Sequence, residues 1–211
     1  MKDSTKWKLA MQSDMTALEK NQTWKLVNLP QGKKVLSCKW VYNYKITAHD
    51  CQPKYKARLV AKGFKQKKGI GFDEVVSPVV KMTTLRCFLA LVAKLDLELH
   101  QMDVKTAFLH GDLNEEIYMQ QPEGFIEKGK EALVCRLLKS LYELKHSPQS
   151  WYHKFHQFML SQGYKHSKNL KEILALKSKM AKLFDMKDMG EASHILGMHF
   201  QQHKSAKLRL T

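Results

Sequence analysis

Two neighbouring stretches with strand character most restrict how this chain can fold. Residues 35–47 (VLSCKWVYNYKIT) and 55–64 (YKARLVAKGF) are rich in β-branched and aromatic side chains. The segment between them is polar and contains Pro53, a residue type that is typical of turns. Two strand-like runs separated by a turn predict a β-hairpin. Its aromatic residues alternate, as they do along one face of a strand, which favours packing against the sheet.

Apolar residues at helical spacing indicate four helices elsewhere in the chain. They are predicted over residues 4–20, 84–99, 149–162 and 171–184, and Ser4 is a candidate N-cap for the first. Residues 99–104 read as a further strand. Helical and strand segments of this kind, without a regular alternation, predict an α+β fold.

Charge is unevenly distributed along the 211 residues, whose net charge is +16. Residues 1–50 carry +5 and residues 51–81 carry +6, whereas residues 82–135 carry −4 and residues 136–211 carry +9. Basic segments around an acidic one suit an enzyme that holds phosphate backbones with cations and metal ions with carboxylates. The same pattern is also typical of a basic soluble protein whose lysines are merely solvated.

Cysteine spacing and hydropathy restrict the compartment. The four cysteines are far apart, at positions 38, 51, 87 and 135, which fits neither a zinc knuckle nor a disulfide framework. The first thirty residues lack a signal-peptide pattern, and no run of eighteen apolar residues predicts a membrane span. We therefore expect a reducing compartment inside the cell, the cytoplasm or the nucleus, and no membrane partner.

Four segments carry a resemblance to a known family: KYKARLVAKGF (54–64), SPVVK (77–81), QMDVKTAFLHGDLNEEIYMQQPEGF (101–125) and SLYELKHSPQSWY (140–152). Together they resemble the reverse transcriptase of copia-type LTR retrotransposons, from about Trp7 to about Phe200. The resemblance implies an RNA-directed DNA polymerase within a Pol polyprotein, with an RNA or DNA template-primer as its partner. It also implies a right-hand polymerase fold, with a fingers-like part (1–82), a palm-like part (83–170) and a palm remnant (171–211).

Asp103 is the position that the resemblance marks as catalytic. In this family three aspartates hold two Mg²⁺ ions, which clamp the attacking and leaving oxygens of nucleotidyl transfer. Asp103 matches the aspartate of the strand motif Gln-Met-Asp-Val, and without that motif a surface or capping acid would be the ordinary interpretation. The residues that follow, Val104, Lys105, Thr106 and Ala107, are implied to bind the nucleotide, and the last three of them would offer backbone N–H groups to the triphosphate.

Two further sets of residues are implied to contact the nucleotide. Lys45 and Arg58 resemble the basic pair that grips the triphosphate, although Lys56 or Lys62 are alternatives, and any of these lysines also fits a solvated surface. Phe108 resembles the aromatic residue that excludes a ribose 2′-hydroxyl. A plain core phenylalanine is its rival interpretation.

The second metal-binding element of the family is missing from this sequence. It would supply two adjacent aspartates in a Tyr-x-Asp-Asp hairpin, and no such motif occurs in the 211 residues. The simplest account is an internal deletion near residues 168–171, which would leave the palm sheet incomplete and remove the neighbours of the Asp103 strand. One aspartate cannot hold two Mg²⁺ ions beside a triphosphate, so the family's cofactor is not expected to bind as it does in a complete enzyme.

The segment SLYELKHSPQSWY departs from the family pattern as well. Glu143 stands where glycine is usual, His146 where glutamine is usual and Gln149 where arginine is usual. We therefore expect a catalytically inactive reverse transcriptase remnant. Two alternatives stay open, namely a remnant that still binds nucleic acid and a faulty gene model of a complete polymerase. The oligomeric state cannot be read from the sequence.

Overall fold

The computed structural model describes residues 3–47, 50–66, 82–113, 115–163, 170–192, 194–195, 198–203 and 207–210. These residues form both helices and sheets, which confirms the predicted mixed α+β character. The α-helices within them are α1 (Ser4–Lys20), α2 (Met82–Lys94), α3 (Ser147–Ser161) and α4 (Leu170–Phe184). The expected deletion point near residues 168–171 lies mostly outside the described residues.

The described strands are short apart from two. They are β1 (Trp24–Val27), β2 (Val35–Leu36), β3 (Cys38–Thr47), β4 (Asp50–Ala61), β5 (His100–Val104), β6 (Tyr118–Met119), β7 (Val134–Leu137), β8 (Met186–Glu191), β9 (His194–Ile195), β10 (Met198–His203) and β11 (Lys207–Leu210). They form a four-stranded sheet in the order β1-β7-β6-β2, a three-stranded sheet β11-β10-β9, and the pairs β3-β4 and β5-β8. The predicted hairpin is confirmed as β3-β4, but its turn is shorter than expected, because β4 begins at Asp50 and Pro53 lies within that strand.

The chain divides into two compact units made from interleaved segments. The first unit contains residues 1–77 and 106–161, and the second contains residues 78–105 and 162–211. The change from the second unit back to the first falls between Lys105 and Thr106, directly after the strand that carries Asp103. The expected division into fingers, palm and palm remnant stays a prediction.

The first unit is built around one apolar core. Buried side chains from α1, β4, the short 3-10 helix at 107–110, the segment 117–119 that contains β6, β7 and the segment 141–144 meet there: Met15, Leu18, Leu59, Ala61, Leu109, Ile117, Met119, Cys135, Leu137, Leu141 and Leu144. Burial raises the pKa of the Cys135 thiol to about 12, so this cysteine stays protonated and behaves as a small apolar side chain. This core fixes β4, and therefore the hairpin, against α1.

The ends of two helices differ from the prediction. α2 stops at Lys94 rather than near residue 99, because Asp96 takes a left-handed conformation (φ 48°) and the N–H of Leu97 bonds back to the carbonyl of Val92. This is a helix stop that usually relies on glycine. At the start of α1, Asp3 rather than Ser4 is the N-cap residue, and its side chain makes no capping hydrogen bond.

In the second unit, β5 pairs with β8 in antiparallel register. The expectation that the Asp103 strand would lose its neighbours is therefore wrong, since β8 lies along one of its edges. Behind this pair, the Nζ atom of Lys177 on α4 lies 2.9 Å from both carboxylate oxygens of Asp188 and 2.8 Å from Nδ1 of His100. These bonds tie α4 to both strands. Among the described helices, none is long and apolar enough to cross a membrane.

Candidate nucleic-acid interface

The β3-β4 hairpin has two chemically different faces. Directly opposite residues of an antiparallel pair share a face, so the register places Trp40, Tyr42 and Tyr44 on one face with Leu59, Ala57 and Tyr55. α1 covers part of this face, where Trp7 contacts Tyr42 and Tyr55 edge-on at ring-centre distances of 5.1 and 4.7 Å. The expected sheet packing of the alternating aromatics is confirmed, although Tyr42 and Tyr44 each remain 50% exposed.

Basic residues occupy the other face of the hairpin, which we name the cationic face. The same register places five of them there: Lys39, Lys45, Lys54, Lys56 and Arg58. Both residues of the predicted triphosphate pair, Lys45 and Arg58, therefore share this face with the alternative Lys56. The other alternative, Lys62, lies beyond β4, and its backbone N–H donates to the carbonyl of Ser37. Which of these cations meets a triphosphate stays a prediction.

Arg58 and its neighbour Leu59 contact groups that sequence reasoning missed. The guanidinium of Arg58 lies 5.2 Å from the ring centre of Tyr142, a distance typical of a cation–π contact. On the following residue, the backbone N–H of Leu59 donates to Asp14 Oδ2 at 2.8 Å. Burial raises the pKa of Asp14, while the Leu59 hydrogen bond and the charge of Arg58 act to lower it. No local sequence signal links positions 14, 58 and 142, because the fold alone brings them together.

Asp103 lies in the second unit, on the exposed side of β5. Its cross-strand partner on β8 is Lys187, so the residue directly opposite is a cation. The next residue, Val104, pairs with Met186 and is half-buried. The structure thus places Asp103 at the end of a strand, as predicted, while its metal-binding role stays a prediction.

The predicted triphosphate loop after Asp103 is divided between the units. Lys105 uses its backbone N–H to bond the carbonyl of Asp185 at 3.3 Å, and its Nζ lies 3.2 Å from the carboxylate of the same residue. This N–H therefore does not face open solvent, which differs from the expectation. Thr106 takes a left-handed conformation (φ 52°) and begins a short 3-10 helix at Ala107. Phe108 is half-buried and contacts Tyr142 edge-on at 5.3 Å, an arrangement that fits its rival interpretation as a packing residue.

The three positions that depart from the family pattern lie around the start of α3. Glu143 is in the left-handed region (φ 65°), where glycine is favoured, and its carboxylate lies 3.7 Å from Nζ of Lys39 on the cationic face. His146 is mostly buried, and its Nδ1 lies 3.0 Å from a carboxylate oxygen of Glu115. Gln149 is half-buried in the first turn of α3.

The described residues do not fit the metal site that the resemblance implies. Across the described ranges, no three His, Cys, Asp or Glu side chains lie close enough together to hold a metal ion. Mg²⁺ requires converging oxygen ligands, whereas Asp103 has a lysine opposite it. No step of a metal-dependent reaction can therefore be assigned to these residues.

Comparison with known proteins decides the family. A family model described as "Reverse transcriptase (RNA-dependent DNA polymerase)" matches residues 21–170. The chain belongs to the reverse transcriptase family. This reverse transcriptase domain contains the cationic face, β5 with Asp103 and the segment with Glu143 within the matched residues. No solved structure matches it.

Curated relatives of this reverse transcriptase domain are transposon polyproteins. It is 51% identical to the Retrovirus-related Pol polyprotein from transposon TNT 1-94 of Nicotiana tabacum, over 229 positions that cover 94% of the chain and 17% of the polyprotein. It is 39% identical to the Retrovirus-related Pol polyprotein from transposon RE2 of Arabidopsis thaliana, over 79% of the chain and 12% of that protein. The corresponding polyprotein from transposon RE1 is also 39% identical, over 77% of the chain and 11% of its own length. The chain thus spans less than a fifth of these polyproteins.

Proposed function

We propose that this chain is a copia-type reverse transcriptase domain that has lost polymerase activity and keeps a surface for nucleic acid. The loss of activity is supported by the small number of family aspartates that the chain has available to bind metal. Of the three family aspartates the sequence supplies only Asp103, and the residue opposite it on β8 is Lys187. A two-metal mechanism needs carboxylates on both ions, so the chain by itself lacks the means to assemble the reacting groups.

Two comparisons support an internal deletion as the reason why the other two family aspartates are missing. The alignment with the Nicotiana polyprotein covers 229 positions although this chain has 211 residues, so the relative has residues inside the aligned region that the chain lacks. The match to the family model ends at residue 170, within the expected deletion point at 168–171. The position of the missing residues remains part of the proposal.

Primer extension tests the loss of activity. Purified chain is mixed with an RNA template, a DNA primer, deoxynucleotides and Mg²⁺, beside an Asp103→Asn variant as the matched control. We expect no extension by either protein. Extension by the unchanged chain that disappears in Asp103→Asn would refute the proposal, because it would show a working metal site. Extension by both proteins would identify a contaminating polymerase, and the assay would then be repeated on a repurified preparation until the two proteins can be compared.

Sequencing of the transcript across codons 160–180 tests the deletion itself. If the transcript encodes a Tyr-x-Asp-Asp segment there, the chain is an incomplete gene product and the proposed inactivity is wrong for the true protein. If the codons for residues 168–171 are contiguous, the deletion is real.

Nucleic-acid binding is supported by the cationic face. Its five basic residues share one side of a hairpin that the core of the first unit holds in place. Phosphate contacts by lysine and arginine release counterions, so binding should weaken steeply as salt rises. A titration of labelled single-stranded RNA and duplex DNA over a range of salt concentrations is the test. Absence of binding at low salt, or binding that salt does not weaken, would contradict this half of the proposal.

A further inference from the structure

We infer that the carboxylate of Glu143 competes with nucleic-acid phosphates for the cationic face and so sets how tightly that face holds a strand. The inference rests on the nucleic-acid binding proposed above and adds to it a residue that tunes affinity. It concerns only the first unit, to which the hairpin and Glu143 both belong.

The position of Glu143 supports this competition. Its Oε2 atom lies 3.7 Å from Nζ of Lys39, a member of the cationic face. The strands themselves bring little negative charge, because their one acid, Asp50, lies at the turn end of the hairpin. Glu143 therefore brings a carboxylate from outside the hairpin to one of these cations, Lys39.

The backbone around Glu143 is tied to β4 and to Gln66. On the residue before it, the carbonyl of Tyr142 accepts a hydrogen bond from the N–H of Ala61 on β4 at 3.1 Å. Two residues after it, the N–H of Lys145 donates to Oε1 of Gln66 at 3.1 Å. Glu143 itself is in the left-handed region that residues other than glycine rarely adopt. Backbone strain retained at a charged, exposed position is a reason to look for a role of that charge.

The strength of the pair fits a competitor rather than a permanent lock. Both side chains are 47% exposed, and exposed ion pairs of this kind are weak. A phosphate can therefore displace the carboxylate, but the nearby negative charge opposes it. For one unit charge about 4 Å away in water, this opposition corresponds to about a fivefold loss of affinity at low salt, and less when salt screens it.

Substitution of Glu143 separates its charge from its backbone strain. Glu143→Gln removes the charge and keeps a side chain in the left-handed region, whereas Glu143→Gly removes both. Glu19→Gln is the matched control, because Glu19 is an exposed acid at the end of α1 in the same unit and lies outside the hairpin. Affinity for labelled single-stranded RNA is measured by fluorescence anisotropy at several salt concentrations.

We expect both Glu143 variants to bind about fivefold more tightly at low salt than the unchanged chain, and Glu19→Gln to bind nearly as the unchanged chain does. If Lys39 gains one phosphate contact, the slope of log affinity against log salt should steepen by about 0.7. Equal effects of Glu143→Gln and Glu19→Gln would overturn the inference, since net charge would then explain both. Tighter binding by Glu143→Gly alone would also overturn it, because strain and not charge would be the cause.

The same titration distinguishes failure of this inference from failure of the proposed function. If the unchanged chain binds RNA with a salt dependence and Glu143→Gln changes nothing, only the role of Glu143 is refuted. If none of the four proteins binds at low salt, the nucleic-acid binding itself is refuted, and the inference with it.

Discussion

Replacing Gly63 with alanine is expected to destabilise the first unit by about 2–4 kcal/mol. Gly63 follows β4 and begins a short 3-10 helix that ends at Lys65. A Cβ atom built on Gly63 would overlap the carbonyl oxygen of Glu143 and lie 3.0 Å from its carbonyl carbon. Both are backbone atoms, so no side-chain rotation can relieve the clash.

The expected magnitude comes from the bonds that hold the two segments together. Overpacking against atoms that must shift costs about 1–3 kcal/mol. Two neighbouring hydrogen bonds oppose such a shift: Ala61 N–H to the carbonyl of Tyr142, and Lys145 N–H to Oε1 of Gln66. Weakening one of them adds about 1 kcal/mol. Against the usual total stability of about 5–15 kcal/mol, this loss is easily measured.

Tryptophan fluorescence makes the assay specific for the first unit, because all four tryptophans, at positions 7, 24, 40 and 151, lie in it. Urea unfolding gives the midpoint, and an unchanged slope shows that stability alone has changed. Gly32→Ala is the control. The backbone at Gly32 is left-handed (φ 77°), so alanine there is strained, but its Cβ would meet nothing within 4 Å. We therefore expect Gly32→Ala to lower the free energy of unfolding by about 1–2 kcal/mol. If Gly63→Ala loses no more than Gly32→Ala, the close approach to Glu143 is refuted.

Two further substitutions test the electrostatics of each unit. Asp14→Asn keeps an acceptor for the N–H of Leu59, whereas Asp14→Ala removes it, so we expect the alanine variant to be less stable by about 1–2 kcal/mol in urea unfolding. Burial raises the pKa of Asp14 in the folded protein above its value in the unfolded chain. The contribution of Asp14 to the free energy of unfolding is therefore complete below the pKa of the unfolded chain and is lost as the pH rises through the pKa of the folded protein. Asp14→Asn should remove this part of the pH dependence of stability. In the second unit, hydrogen bonds from the N–H of Gly190 and from Lys177 lower the pKa of Asp188, so Lys177→Met should raise this pKa part of the way to its ordinary value in an NMR titration. An unchanged Asp188 pKa would contradict the contact with Lys177.

The hairpin and the helices could be predicted because their signals are local. Alternating aromatics and a polar turn specify β3-β4, and apolar spacing specifies α1, α3 and α4 to within two residues at each end. The end of α2 could not be predicted in this way. Its stop depends on Asp96 in a left-handed conformation, which the sequence does not distinguish from an ordinary helical aspartate.

The candidate site was only partly predictable for a different reason. Residue spacing along β3 and β4 is enough to place Lys45, Lys56 and Arg58 on one face once the hairpin is recognised. Leu59 bonds to Asp14 on α1, Arg58 contacts Tyr142 in the segment before α3, and such long-range contacts leave no pattern in the sequence. Only the family resemblance marks Glu143, and its φ of 65° gives a physical reason why glycine suits that position.

The pairing of β5 with β8 bears most directly on what Asp103 can do. A strand that has lost a neighbouring hairpin would present an open edge, which invites aggregation. Here β8, which follows α4, lies along one edge of β5 and brings Lys187 opposite Asp103. A lysine in that place is a positive charge where a metal ion would need a second carboxylate. The same pairing that keeps the strand within a sheet therefore places a cation, and not a second carboxylate, opposite Asp103, and for this reason we expect the domain to retain binding surfaces rather than catalysis.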